Sequence, residues 1–234
     1  MSSQIVNVLD KGYVRLRDDD VFGSDLSVVN AARVSYDKES NELNERDKRL
    51  IRFLAREGHT SPFRHAAATF EVYAPLMVAR QWWKYVVGSD HTMDGWNESS
   101  RRYITEEPTF YMPDADQWRE KPKHSKQGSG GYKDEFLGVY LMNDLKEHCR
   151  RSEELYKNAI KAGVAPEQAR LFLPAYAMYV RWRWTASLQS ICHFLNERLA
   201  ADAQYEIRQY AKAVYKLIEP HFPESIKALV KNSD

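Results

Sequence analysis

The stretch Ile5-Val6-Asn7-Val8-Leu9-Asp10-Lys11-Gly12-Tyr13-Val14-Arg15-Leu16 decides the fold class. Ile5 to Leu9 reads as a strand, Asp10-Lys11-Gly12 as a turn, and Tyr13 to Leu16 as the returning partner. Ala67 to Tyr73 alternates and adds a further strand. Helical periods surround these strands. Asp25-Leu26-Ser27 opens a helix through Arg33, with Asp25 as its N-cap. Asn44 to Glu57 carries Leu50, Ile51, Phe53 and Leu54 on one period and stops at Gly58. Pro75 suits the first turn of a helix from Leu76 to about Tyr85. The second half reads as helices at Lys133 to Ala162, Pro166 to Leu173, Ser187 to Ala201, Asp202 to Ile218 and Glu224 to Val230. The class is α+β: one domain over residues 1–234, with a small, mostly antiparallel sheet and a helical second half. Two polar segments interrupt it. Gly88 to Gly95 is turn-rich, and Pro113 to Tyr132, rich in Lys, Ser and Gly, reads as a flexible surface loop.

Composition narrows the function classes. The chain has 234 residues, 43% hydrophobic and 29% charged, which is globular rather than disordered. A net charge of +1 gives no global field for nucleic acid or an anionic membrane. No apolar run is long enough to span a bilayer, and no basic segment with an apolar stretch opens the chain. Cys149 and Cys192 form neither a metal-type spacing nor a disulfide framework, so a reducing cytoplasm is expected and no metal site is.

Four segments can carry chemistry. Asn97-Glu98-Ser99-Ser100-Arg101-Arg102-Tyr103 sets two arginines and a hydroxyl beside a carboxylate, a set able to hold a phosphate and a sugar; a solvated turn before a strand is the commoner meaning. Arg80-Gln81-Trp82-Trp83-Lys84 places Arg80 and Lys84 one helical turn apart, as many amphipathic helices do. Arg170 ends an apolar helix against Pro174, where a cation also complements the helix dipole. Arg198, five residues after His193, can stabilise an anionic ring, or can pair with Glu197 or Asp202. These residue types alone stop at a soluble α+β domain that binds anions.

Taken in order, these segments resemble the flavin-dependent thymidylate synthase family. The resemblance runs from Val8-Leu9-Asp10-Lys11-Gly12-Tyr13-Val14 through Ala31-Ala32-Arg33-Val34-Ser35 and Glu57-Gly58-His59-Thr60-Ser61-Pro62-Phe63. It continues at Val78-Ala79-Arg80-Gln81-Trp82, at Asn97-Glu98 with Ser100, Arg102 and Tyr103, and at Ala169-Arg170 with Leu173-Pro174. Arg198 with Ala203, Gln204, Glu206 and Ile207 completes it. Each segment alone is common; seven in register are specific. The family implies a homotetramer with sites at subunit interfaces, small-molecule substrates, and reductive methylation of dUMP to dTMP. It implies FAD as cofactor, NADPH as reductant and methylenetetrahydrofolate as carbon donor. Gln81, Glu98, Ser100, Arg101, Arg102 and Arg170 fall on or beside the dUMP-binding positions. Arg198 resembles the arginine that holds and polarises the uracil ring. Ser35, His59, Ser61, Lys84, His91, Asn97, Ser187 and His193 fall on the flavin side.

One departure stands out. The family signature is Arg-His-Arg, seven residues, then Ser. Counting back from Ser100 reaches Asp90-His91-Thr92; counting forward from Arg80-Gln81-Trp82 reaches Lys84-Tyr85-Val86. An insertion at about 84–96 separates the two. Ser187 and Gln189 stand where the family often has Asn and Arg, so the losses fall on the flavin side. Lys84, Arg64, Arg181 and Arg183 are the cations able to restore charge, and Gly88 to Gly95 is expected to wall the altered flavin site. The alternative is a nucleotide-binding relative with a regulatory role.

Overall fold

The computed structural model describes residues 3–87, 95–99, 107–123 and 128–231. Five strands form one sheet in the order β1-β2-β3-β5-β4, every neighbouring pair antiparallel. They are β1 (Ser3–Val8), β2 (Gly12–Phe22), β3 (Ala67–Pro75), β4 (Gly95–Glu98) and β5 (Tyr179–Ser187). The β1–β2 turn brings Val8 opposite Gly12. A side chain at Gly12 would collide with the Tyr210 hydroxyl and the Tyr73 carbonyl, 1.8 and 2.7 Å from the Cβ position.

β5 is the main departure from the sequence reading, which placed only helices in the second half. Tyr179-Val180-Arg181-Trp182-Arg183-Trp184-Thr185-Ala186-Ser187 alternates with period two, the pattern of a half-buried strand. It pairs with β3 over nine residues and with β4 over four. Val180, Trp182, Trp184 and Ala186 turn into the core beside Val72, Phe70 and Ala68. Arg181 and Arg183 point to the other face, where Arg183 meets Asp20 at 2.6 Å and Arg181 lies over the Tyr73 ring. β4, on the outer edge, was likewise unforeseen.

Eight α-helices among the described residues join the sheet: α1 (Asp25–Arg33), α2 (Glu45–Arg56), α3 (Leu76–Val87), α4 (Glu135–Lys161), α5 (Pro166–Ala169), α6 (Leu188–Arg198), α7 (Tyr205–Ile218) and α8 (Pro223–Leu229). Asn44 caps α2 by accepting from the Arg46 and Asp47 amides. Pro75 does lead directly into α3. The inserted segment begins as the last turn of α3 and ends in β4; residues 88–94, including His91, lie outside the described residues.

The described part of the 113–132 segment is tied down rather than loose. Arg119 bridges to Tyr132, the Glu120 and Gly130 amides pair with the Gly131 and Glu120 carbonyls, and Arg119 forms an ion pair with the buried Glu206 of α7. A one-turn 3-10 helix at Ala115–Gln117 packs on α4 so tightly that Gly138 leaves no room for a Cβ.

Asp25 also differs from its expected role. Ser24 caps α1, and the buried Asp25 carboxylate instead caps α8. It accepts from the Glu224 amide at 2.8 Å, the Ser225 amide at 3.0 Å and the Ser225 hydroxyl. Asp25→Ala removes the acceptors of all three hydrogen bonds from a buried site. It is expected to cost about 2–4 kcal/mol in urea unfolding, with Asp25→Asn recovering part; a loss below about 0.5 kcal/mol would contradict that role.

Candidate functional site

The site forms where α3, α6 and the turn into α7 meet. Trp82, fully buried on α3, stacks on Phe194 of α6 at 4.3 Å and meets Trp182 and Trp184 edge-on at 5.4 and 5.3 Å. This fixes the polar residues flanking it. Gln81 donates from Nε2 to Gln204 Oε1 at 2.7 Å and to the Met77 carbonyl at 3.2 Å, tying α3 to the start of α7. Tyr85, one turn after Trp82, lies 5.6 Å from the His193 ring.

Arg198 is the last residue of α6 and is half-buried. It donates to the Tyr85 hydroxyl, with its guanidinium carbon 4.4 Å from the centre of that ring. The Tyr85 hydroxyl in turn donates to Glu197 Oε2 at 3.4 Å. Among the described residues Arg198 makes no ion pair with Glu197, Asp202 or any other carboxylate, and its Nε is buried without an acceptor. Its charge is therefore held by an aromatic ring and a neutral oxygen, and stays available to an acceptor from outside.

On the neighbouring edge, β4 sets Asn97 opposite Arg183, and Glu98 accepts from Trp96 Nε1 at 3.3 Å. Burial pushes the Glu98 carboxyl above the usual carboxylate range, with the Trp96 hydrogen bond and Arg80 pulling it back. Ser100, Arg101 and Arg102 lie outside the described residues. Arg170 starts a turn of 3-10 helix after α5 and is exposed, with Nε donating to the Glu167 carbonyl.

The residues expected on the flavin side are divided between this region and others in the chain. His59 and Ser61 are exposed around the 3-10 turn Ser61–His65, beside the N-terminal end of α6, where Leu188 N bonds Ala66 O. Arg198 is ten residues further along α6, ~15 Å by helical rise. Ser187 is not open to a ligand: it is 1% exposed and caps α6 by accepting from the Ser190 amide at 3.2 Å. Ser35 is exposed beside a cavity of about 230 Å³ lined by Arg33, Tyr36, Lys38 and Arg46. Arg33 is spent there on the buried Asp47, which leaves Lys38 and Arg46 as its cations. Lys84 and His193 are exposed near Tyr85. Of the cations able to restore charge, Arg183 is taken by Asp20.

The sequence reading named Tyr85 through the forward count of the signature, and Gln204 and Glu206 within the segment around Arg198, but none of their contacts; nothing local points from Arg119 to Glu206.

The chemistry available is equally informative. Burial raises both thiols, Cys149 to about 11 and Cys192 further, so neither is a thiolate nucleophile near neutrality. Among the described residues no group of His, Cys, Asp and Glu is placed to hold a metal, and no helix is long and apolar enough to cross a membrane.

Fold and site define an α+β protein in which a guanidinium, a side-chain amide and a phenol hydroxyl gather where α3, α6 and the turn into α7 meet. The family model described as thymidylate synthase complementing protein matches residues 19–224, and the chain belongs to that family. It is 38% identical to a flavin-dependent thymidylate synthase of Thermosipho africanus, over 96% of this chain and 93% of that one. A flavin-dependent thymidylate synthase of Thermus thermophilus is also 38% identical, over 93% of this chain and 75% of its own length. Among solved structures it is similar to the UMP/dUMP methylase PolB from Streptomyces cacaoi bound with 5-Br dUMP. The TM-score is 0.78 at 30% identity, over 95% of this chain and 96% of that one. The same enzyme bound with 5-Br UMP matches with a TM-score of 0.78 at 28% identity.

Proposed function

We propose that this chain methylates dUMP at C5 to give dTMP, with methylenetetrahydrofolate as carbon donor and FAD reduced by NADPH. The observation that carries the reading is Arg198: a half-buried guanidinium, not neutralised by a carboxylate, in a chain of this family. The relatives named flavin-dependent thymidylate synthase and the dUMP methylase neighbour support it.

C5 of a uracil is a weak nucleophile. It attacks a carbon donor only if the electron density pushed around the ring is stabilised at its oxygens. A fixed cation does this without reorganising during the reaction. Arg198 takes that role, and Gln81 and Glu98 offer groups for the base and sugar. Arg170, Arg101, Arg102 and Ser100 would hold the phosphate, whose binding energy positions the ring. Replacing C5–H by C5–CH3 releases the C5 proton.

FAD, when bound, supplies the redox chemistry. Ser35, His59, Ser61 and His193 would hold it, with Lys84, Asn97 and His91 at the altered signature. The four exposed side chains fit this task, since none donates to or accepts from another described residue in a hydrogen bond. Ser187, already committed to α6, does not.

The ~15 Å along α6 between the His59 and Arg198 ends supports sites completed by a second copy. The exposed apolar side chains of α4, Phe136, Val139 and Tyr140 among them, support a homotetramer. Sedimentation velocity is expected to give that assembly; a monomer at micromolar concentration would remove it. Two buried, unpaired cysteines support a reducing, cytoplasmic setting.

The first test is tritium release from dUMP labelled at C5, with methylenetetrahydrofolate and NADPH, with and without added FAD. FAD-dependent release is expected. A protein that binds dUMP without releasing tritium would instead support the regulatory reading that the altered signature raises. Labelled UMP belongs in the same experiment, because the similar structure is that of a UMP/dUMP methylase.

Glu98 makes a pH prediction. Its carboxyl is raised, so the ionised form is lost at higher pH than for an ordinary glutamate as the solution is acidified. If ionised Glu98 accepts from the nucleotide sugar, dUMP affinity falls on that acid limb. Glu98→Gln is expected to abolish the limb in kcat/KM; an unchanged limb would remove Glu98 from the site.

A further inference from the structure

We propose that Tyr85 is the positioning residue for Arg198, the hydroxyl and ring of one side chain fixing the guanidinium in place of the histidine that the family signature carries. This rests on the reading of Arg198 as the arginine that faces the uracil.

Three observations meet at this side chain. The Arg198 guanidinium is in both of its possible attractive relations to a tyrosine: 4.4 Å from the ring centre, and hydrogen-bonded to the hydroxyl. The hydroxyl is itself held, by Glu197 at 3.4 Å. The ring is held by Phe194 at 6.1 Å and His193 at 5.6 Å, so Tyr85 does not swing freely with Arg198.

The polarity of the chain of hydrogen bonds follows from the groups. A guanidinium only donates, so the phenol oxygen must accept from Arg198. Its own proton is then directed at Glu197, which only accepts when ionised. Burial holds that phenol proton on, because it disfavours the phenolate more than Arg198 favours it. Tyr85 is thus a neutral link between a cation and an anion that do not touch each other.

That neutrality sets Tyr85 apart from other clamps. A carboxylate would fix Arg198 equally well and cancel its charge. A histidine could donate to a ligand, but in its protonated form would repel the guanidinium. Tyrosine orders a long side chain at the frayed end of a helix and leaves the full positive charge for an electron-rich ring. The position is also set independently of Arg198. Tyr85 follows Trp82 by one turn of α3, and Trp82 is locked in the aromatic core.

The test uses two variants and two readouts. Tyr85→Phe keeps the ring and loses the hydroxyl; Tyr85→Leu loses both. The first readout is modification of Arg198 by phenylglyoxal, followed by peptide mass spectrometry, which needs no nucleotide. The second is kcat and KM for dUMP from C5 tritium release. Arg198 should be modified faster in Tyr85→Phe and faster again in Tyr85→Leu, by about tenfold in the latter. Tyr85→Phe should lower kcat about tenfold with KM changed less than about threefold, and Tyr85→Leu further. Thermal unfolding monitors the fold of both.

Arg198 modification in Tyr85→Leu within about twofold of the unsubstituted protein overturns the proposal, whatever the activity. So does a Tyr85→Phe variant with unchanged kcat, since a ring that merely filled space would be satisfied by phenylalanine. If the unsubstituted protein neither binds nor methylates dUMP, the functional reading fails. The graded modification rates then still decide whether Tyr85 fixes Arg198.

Discussion

The packing of Trp82 against Trp182, Trp184 and Phe194 is the contact on which the rest of the molecule depends. Four large rings from a helix, a strand and a second helix meet with no solvent between them. Aromatic contacts of this kind combine large buried area with preferred angles, so they set orientation as well as adhesion. Because Trp82 sits between Gln81 and Tyr85, the rotation of α3 is fixed where those two side chains must meet Gln204 and Arg198. The same cluster fixes β5, and through it the edge strand bearing Asn97 and Glu98. The candidate site therefore inherits its precision from the core.

Much of this was legible in the sequence where the signal is local. The hairpin around Asp10-Lys11-Gly12, the helix that runs from Asn44 to its stop at Gly58 and the proline before α3 are all short-range features. β5 was missed because its two arginines were read only as cations able to restore charge, whereas in alternation with Val180, Trp182 and Trp184 they mark the exposed side of a strand. Asp25 was assigned to the nearest helix, since its actual partner is 200 residues away. Arg119 was placed in a flexible loop for the same reason: its partner Glu206 is 87 residues further on.

The site shows a similar division. The family resemblance found Gln81, Glu98 and Arg198 by pattern. Pattern could not show that Ser187 is consumed by its own helix, or that Arg183 is consumed by Asp20. Both are polar residues at ligand-type positions that already have partners within the chain. Nor could it choose between the two registers of the altered signature. The helix that begins at Leu76 carries Tyr85 to the end of α6, against Arg198, while His91 lies outside the described residues. Of the departures from the family pattern, Ser187 and Gln189 lie at the start of α6, and Tyr85 lies against its other end.

The buried carboxylate of Asp25 has a consequence for the order in which the chain acquires structure. Its oxygens belong to α1, and the donors it satisfies belong to α8, 200 residues further along the chain. Joining them closes a loop of nearly the whole chain, an entropic cost that is met only after the intervening sheet has drawn its ends together. The final helix, seven residues long, has little reason to persist by itself. Until α8 docks, the Asp25 carboxylate lacks these partners, and that docking acts as a stitch across the fold.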